Sequence, residues 1–229
     1  MGLNNKLNHI ALILDGNKRW AKNNNYTNIS GYTKGFENIK NFVEYSLSLK
    51  ISNLTIFALS SENFKRSSIN VIYKIIYDNF SKMFEELVKD KGVKVKIFGD
   101  RNNLPDKIIK IFKKIENASS SNNSLNLNIA FNYGFKNEIN NIIKKITTND
   151  LKINFKKSHD IDKLFFLGSY PDPDILIRTG GYKRLSNFIM YNLTYTELFF
   201  TETLWPDFSE KEFKSIIEQY LKINRKYGL

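Results

Sequence analysis

Residues 9–20 read HIALILDGNKRW, an apolar run that stops on an aspartate followed by Gly, Asn, Lys and Arg. Ile10–Leu14 is too short and too apolar to alternate, as in a strand buried on both faces. A carboxylate just past the end of such a strand adds little to stability. It suits chemistry at the carboxyl end of a parallel sheet, where open α/β proteins keep their sites. Asp15 could hold a hard cation such as Mg²⁺, which takes one or two carboxylates together with phosphate oxygens. Gly16 would let the backbone approach a ligand closely, and Lys18 and Arg19 would attract phosphates. The competing reading makes Asp15 a helix N-cap, a position where Asp is favoured.

A second chemical segment is RTGGYKRLSN, residues 178–187. Arg178 and Arg184 supply forks that match phosphate oxygens. Gly180 and Gly181 suggest an anion nest of backbone N–H groups. Neither a P-loop pattern nor a G-x-G-x-x-G fingerprint is present. The two histidines do not make a site. His9 has no neighbouring partner and is expected to be a structural hydrogen-bonding group, and His159 lies in a lysine-rich stretch. With no cysteine, thiolate chemistry and disulfides are excluded.

Strand-like runs at Ile10–Leu14, Leu54–Leu59, Val93–Phe98, Leu125–Phe131 and Ile175–Ile177 alternate with helical patterns. The helices are expected at Gly35–Leu49, Ile69–Lys89, Pro105–Ala118, Asn137–Ile146, Asp160–Phe166 and Glu210–Ile223. This alternation predicts an α/β fold, residues 1–229 as a single domain with a central, mostly parallel sheet flanked by helices. Polar clusters follow four of the strands: Asp15-Gly16-Asn17, Ser60-Ser61-Glu62-Asn63, Asn132-Tyr133-Gly134 and Arg178-Thr179-Gly180-Gly181. On a parallel sheet these clusters share one end and converge on one crevice. The stripe Ile72, Ile75, Ile76, Phe80, Met83, Phe84 and Leu87 would face a core, or the channel of a ligand with a long apolar tail. Asn63–Ser68 would form a mobile hinge before it.

A net charge of +12 fits nucleic acid, an anionic membrane surface or polyphosphate substrates. Lys and Asn are abundant along the whole chain, so compositional bias explains the charge equally well. No apolar run is long enough to span a membrane, and the first residues lack the apolar core of a signal peptide. A cytoplasmic protein is expected.

Together these segments resemble the cis-prenyltransferases over about His9 to Gly228. The resemblance rests on HIALILDGNKRWA, GYTKG, LTIFALSSENFKR, LNIAFNYG, DILIRTGGYKRLSNF and YTELFFTETLWPDF, in that order. It implies elongation of farnesyl diphosphate by isopentenyl diphosphate units to a long-chain polyprenyl diphosphate, such as the undecaprenyl carrier of cell-wall synthesis. It also implies Mg²⁺, a homodimer, an apolar tunnel and transient contact with a membrane surface, but no nucleic acid. By motif position Asp15 would hold Mg²⁺ against the allylic diphosphate, cradled by Gly16, Asn17 and Arg19. Lys18 and Trp20 belong to the same subsite. Arg178, Arg184 and Ser186 would bind isopentenyl diphosphate, with Glu197 at a second metal position. Ser60, Ser61, Glu62, Asn63, Phe64 and Arg66 would orient the isopentenyl group, and Asn63 would assist catalysis at proton loss.

The chain departs from the family pattern at several positions. Lys18 stands where many members have Gly, and Asn28 and Tyr32 replace an Arg and a His. Phe64 replaces a Trp, Ser67 a Pro and Tyr182 a Glu. Lys18 would restore the positive charge lost at positions 28 and 32. Two other classes compete. A nucleic-acid-binding protein would focus its basic residues on one face with exposed aromatics. A catalytically silent, lipid-binding relative would not need Asp15, Asn17, Arg178, Arg184 and Glu197 together.

Overall fold

A computed structural model of the chain describes residues 6–64, 69–148 and 159–224. Six parallel strands form one sheet: β1 (His9–Ile13), β2 (Asn53–Ser60), β3 (Val93–Phe98), β4 (Leu125–Tyr133), β5 (Ile175–Arg178) and β6 (Glu197–Phe200). Their order is β3-β4-β2-β1-β5-β6. The chain leaves β1 towards β2 on one side and returns much later to β5 on the other. The carboxyl end of β1 is therefore a topological switch point, where an open parallel sheet leaves a crevice.

All five expected strands are present, and β1 is buried along its whole length. Ile10 and Leu12 point into the larger core with Phe42, Phe84, Phe112 and Trp205, while Ala11 and Ile13 join a smaller core with Phe57, Tyr133 and Phe188. The helices expected before β2 need two corrections. Helix α1 (Asn17–Asn23) was not expected, and α2 begins at Asn28 and runs to Ser48, seven residues before the expected start. Thr27 caps α2 by accepting the Ser30 N–H at 3.2 Å. Gly35 lies inside α2 because a Cβ there would fall 1.9 Å from Asn17 Oδ1, so the glycine admits α1 against α2.

The single helix expected over Ile69–Lys89 is broken. A short α3 (Ser61–Phe64) precedes α4 (Ile69–Ile75), a π turn at Ile76–Phe80 and α5 (Ser81–Lys89). A π turn adds a residue to one turn and rotates the two halves against each other. The remaining helices are α6 (Asp106–Ala118), α7 (Phe135–Thr147), α8 (His159–Asp162), shorter than expected, and α9 (Glu210–Leu221). Of the expected hinge, residues 65–68 lie outside the described residues. No helix among the described residues is long and apolar enough to cross a membrane.

Candidate active site

The register pairs Ile13 with Phe57 on β2 and with Arg178 on β5, so the clusters after these three strands emerge side by side. They line a cavity of about 660 Å³. Asp15 is one of its lining residues. Arg178 Nη2 donates to Asp15 Oδ2 at 2.9 Å, and Arg19 Nη2 reaches Asp15 Oδ1 at 3.2 Å. Arg178 is buried to 3 % exposure, whereas the Asp15 side chain keeps 29 %. A buried guanidinium needs such a partner, since removing one member of a buried pair leaves a costly lone charge.

The Asp15 backbone is clamped as well. Its carbonyl accepts from Thr179 Oγ1 at 2.8 Å and from the Trp205 N–H at 3.0 Å. Trp205 is fully buried, and its indole N–H donates to the Gly35 carbonyl at 2.7 Å, tying the loop to α2. Asp15 is not the helix cap. That position belongs to Gly16, with φ 119°, and the amino end of α1 has no side-chain cap. A Cβ on Gly16 would meet Leu204 at 2.9 Å, so both conformation and space require glycine.

The second cluster is ordered around Arg178. Its Nη1 donates to Ser186 Oγ at 2.7 Å and to the Arg184 carbonyl, while Arg184 Nε reaches the same Ser186 oxygen at 3.3 Å. Ser186 and Asn187 both have positive φ, 52° and 64°, a strained arrangement of the kind that surrounding structure must hold in place. Arg178 Nε is buried with no hydrogen-bond partner among the described residues. The expected Gly180–Gly181 nest is overturned. Those two N–H groups donate to the carbonyls of Thr203 and Thr201, both at 2.8 Å, because the chain after β6 returns alongside them.

The end of β2 supplies Ser60 and the short α3 after it supplies Glu62 and Asn63, all on the cavity wall. Asn187 Nδ2 donates to Glu62 Oε1 at 2.8 Å, and Ser60 Oγ accepts the Asn63 N–H at 3.1 Å. Burial works to raise the Glu62 pKa. Hydrogen bonds from Asn187, its own backbone, Ser60 and Ser61 outweigh that and hold it below the usual carboxylate range. The wall carries four cationic side chains (Lys18, Arg19, Arg178, Arg184) against two carboxylates (Asp15, Glu62), so an anion is favoured there.

Next to this cavity lies an apolar recess of about 80 Å³ between α2, α4 and the sheet, lined by Phe36, Ile39, Ile75, Ile76, Phe84 and Phe112 among others. Leu14, Asn17, Tyr32, Ala58 and Ile72 line both spaces. Ala58 is the key junction. The β2–β4 pairing slips between Phe57 and Leu59, and this bulge leaves Ala58 exposed in an otherwise buried strand. Bulges beside sites commonly re-aim a side chain in this way.

The structure thus brings Asp15, Gly16, Asn17, Lys18, Arg19, Ser60, Glu62, Asn63, Arg178, Arg184 and Ser186 to one wall. Other expected site residues stand apart. Trp20 does not line the cavity; its Nε1 donates to Asp207 Oδ1 at 2.6 Å and its ring stacks on Tyr26. Phe64 packs on the larger core. Ser61 is also off the wall and reaches the site through Glu62. Glu197 opens β6 in register with Ile175, three residues before the Arg178–Phe200 level, which places it about 10 Å back along the strand direction. Arg66 lies outside the described residues. Thr179, named only as part of a polar cluster, and Asn187 and Trp205 receive no role from the sequence, although all three fall inside the quoted motifs.

Among the described residues no group of three or more His, Cys, Asp or Glu forms a metal cage. The Asp15 carboxylate, 29 % exposed, and Glu62 on the same cavity wall fit Mg²⁺ in its other common mode, held by one or two carboxylates and completed by substrate phosphates, which the four cationic side chains would attract.

Comparison with known proteins identifies the family and the fold. A family model described as "Putative undecaprenyl diphosphate synthase" matches residues 13–228. An isoprenyl transferase of Aquifex aeolicus is 36% identical over 222 residues, covering 96% of this chain and 95% of that protein. A tritrans,polycis-undecaprenyl-diphosphate synthase (geranylgeranyl-diphosphate specific) of Pyrobaculum aerophilum is 36% identical over 226 residues, covering 96% and 95%. Among solved structures, lavandulyl diphosphate synthase from Lavandula x intermedia, in complex with dimethylallyl diphosphate, superposes with a TM-score of 0.87 at 31% identity, covering 97% of this chain and 98% of that one. A probable undecaprenyl diphosphate synthase from Campylobacter jejuni gives 0.79 at 28% identity, covering 98% and 100%.

Proposed function

The chain belongs to the undecaprenyl diphosphate synthase family of cis-prenyltransferases, and from that premise we propose that it extends an allylic diphosphate with isopentenyl diphosphate units to a long-chain polyprenyl diphosphate. The observation that carries this reading is that the two spaces adjoin. A polar, cation-rich cavity and an apolar recess share five wall residues, which is what an amphiphile with a diphosphate head and an isoprenoid tail requires.

In this reading the allylic diphosphate sits by Gly16, Asn17, Lys18 and Arg19, with its tail passing Ala58 into the recess. Isopentenyl diphosphate is held by Arg178, Arg184 and Ser186. The new bond joins C4 of the isopentenyl unit to C1 of the allylic chain as the C1–O bond breaks and diphosphate leaves. A proton is then lost from C2 of the isopentenyl unit. Arg19 stabilises the negative charge that grows on the leaving oxygens, at the point where stabilisation lowers the barrier. Asp15 would hold Mg²⁺, which when bound supplies further neutralisation of that charge. Glu62, kept ionised by its hydrogen bonds, stands with Ser60 and Asn63 on the side from which the proton departs. The apolar recess keeps water from the electron-poor C1.

We propose a homodimer and transient membrane contact as parts of the same reading. β6 lies at the sheet edge, and Met190, Tyr195 and Leu198 on or near it are exposed; these support pairing of two copies. The test is incubation with labelled isopentenyl diphosphate, Mg²⁺ and either farnesyl or geranylgeranyl diphosphate. Long-chain extractable product is expected, lost on chelation. In Ala58→Leu the product should shorten while the first condensation persists. Failure of every allylic starter in the folded protein refutes the proposal.

A further inference from the structure

Three guanidiniums converge on the ring of Tyr182. Its centroid lies 4.1 Å from Arg184 Cζ, 4.8 Å from Arg19 Cζ and 5.8 Å from Arg178 Cζ. The ring lines the cavity and is 44 % exposed. Like charges at such spacing repel, and the nearby carboxylate does not compensate all three. Asp15 takes Arg178 and Arg19. Arg184 forms no ion pair among the described residues, and its Nε has only the Ser186 hydroxyl at 3.3 Å. What draws Arg184 to the group is therefore the negative face of the ring. A carboxylate at this position would also gather arginines, but it would cancel their charge and occupy their N–H groups. An aromatic face does neither.

We propose that Tyr182 is a positioning residue that holds the Arg184 fork, and beside it the part of the Arg19 fork that Asp15 does not engage, at the cavity with donors turned to diphosphate oxygens. This deepens the prenyl diphosphate reading and rests on it. The ring's quadrupole is the active property; the hydroxyl is dispensable.

The test is a ring series at position 182 in the full chain, read by calorimetric titration with inorganic diphosphate in the presence of Mg²⁺. Tyr182→Leu should weaken binding about 5- to 30-fold, the equivalent of two cation–π contacts. Tyr182→Phe should stay within about twofold of the parent, and Tyr182→Trp should bind as well or better, since indole is the strongest cation–π partner. Unfolding midpoints of all three should match the parent, because the side chain is half exposed. In steady state the Leu variant should raise KM for a diphosphate substrate more than it lowers kcat, with Phe restoring it. Leu binding like the parent, Phe as weak as Leu, or no diphosphate binding by the parent overturns the proposal. The prenyl reading fails separately, when the parent forms no condensation product although the ring series still orders diphosphate affinity.

Discussion

Strand β1 carries an ionisable residue at each end, and the two have opposite fates. His9 opens the strand and is fully buried. Its Nδ1 meets the Pro171 carbonyl at 2.6 Å, its Nε2 meets Thr55 Oγ1 at 2.7 Å, and its backbone N–H donates to Asp174 Oδ2 at 2.9 Å. Burial depresses its pKa to about 4, against weaker upward pulls from Pro171 and Asp174. Every partner belongs to the scaffold. Asp15, two residues beyond the other end, is held by Arg178 and Arg19 on the wall of a cavity. A polar residue at a strand end is structural when its partners close around it. It is a candidate for chemistry when they leave it facing space that other strands also supply.

The contrast predicts mutations that separate activity from stability. The largest effect is expected at Asp15. Asp15→Asn keeps the shape, and condensation should fall by at least about 10²-fold, the usual cost of losing one transition-state electrostatic contact. A residual rate above a tenth of the parent's would break the comparison. His9→Ala should do the reverse. Loss of the buried contacts and the space left behind should cost about 2–4 kcal/mol in denaturant unfolding, with kcat of the folded fraction unchanged.

His9 also sets a pH dependence. Its folded pKa, about 4, lies below the ordinary 6.5, so the unfolded chain takes up a proton that the folded chain refuses. Stability from this group is complete above about pH 6.5 and falls as pH drops towards 4, by about 3 kcal/mol. His9→Ala should flatten that part of the stability curve. The smallest effect concerns Lys18, an exposed-side contributor to the mouth. Lys18→Gln should raise KM for the allylic diphosphate about threefold to tenfold, an effect of roughly 1 kcal/mol, without moving the unfolding midpoint. No change in KM would remove Lys18 from the diphosphate subsite.

Much of this frame was legible because buried parallel strands are continuous apolar runs. Ile10–Leu14 and Leu54–Leu59 could be little else, the alternating VKVKIF of Val93–Phe98 suits a strand at the sheet edge, and the polar clusters after the other four strands had to share an end. β6 escaped because its four residues, ELFF, are a half-exposed edge with no buried run. α1 escaped because it starts on an uncapped left-handed glycine rather than on a Ser, Thr, Asp or Asn signal. Gly31 and Gly35 hid the first turns of α2, since their reason is close contact with α1 rather than helix propensity. The Gly180–Gly181 pair looked like an anion nest, and only the return of residues 201–203 shows where its N–H groups go. The Ala58 bulge has no local signal at all. It exists as a mismatch between β2 and β4.

The central claim is that the cavity around Asp15 and the recess beyond Ala58 form one site for cis-condensation. The most direct measurement is a single-turnover reaction of the enzyme–farnesyl diphosphate complex with labelled isopentenyl diphosphate, its product analysed by mass and by NMR of the new double bond. The account predicts a chain longer by one five-carbon unit with Z geometry, formed at least about 10²-fold more slowly in Asp15→Asn. No label in extractable product from folded protein, or a new double bond of E geometry, would contradict it.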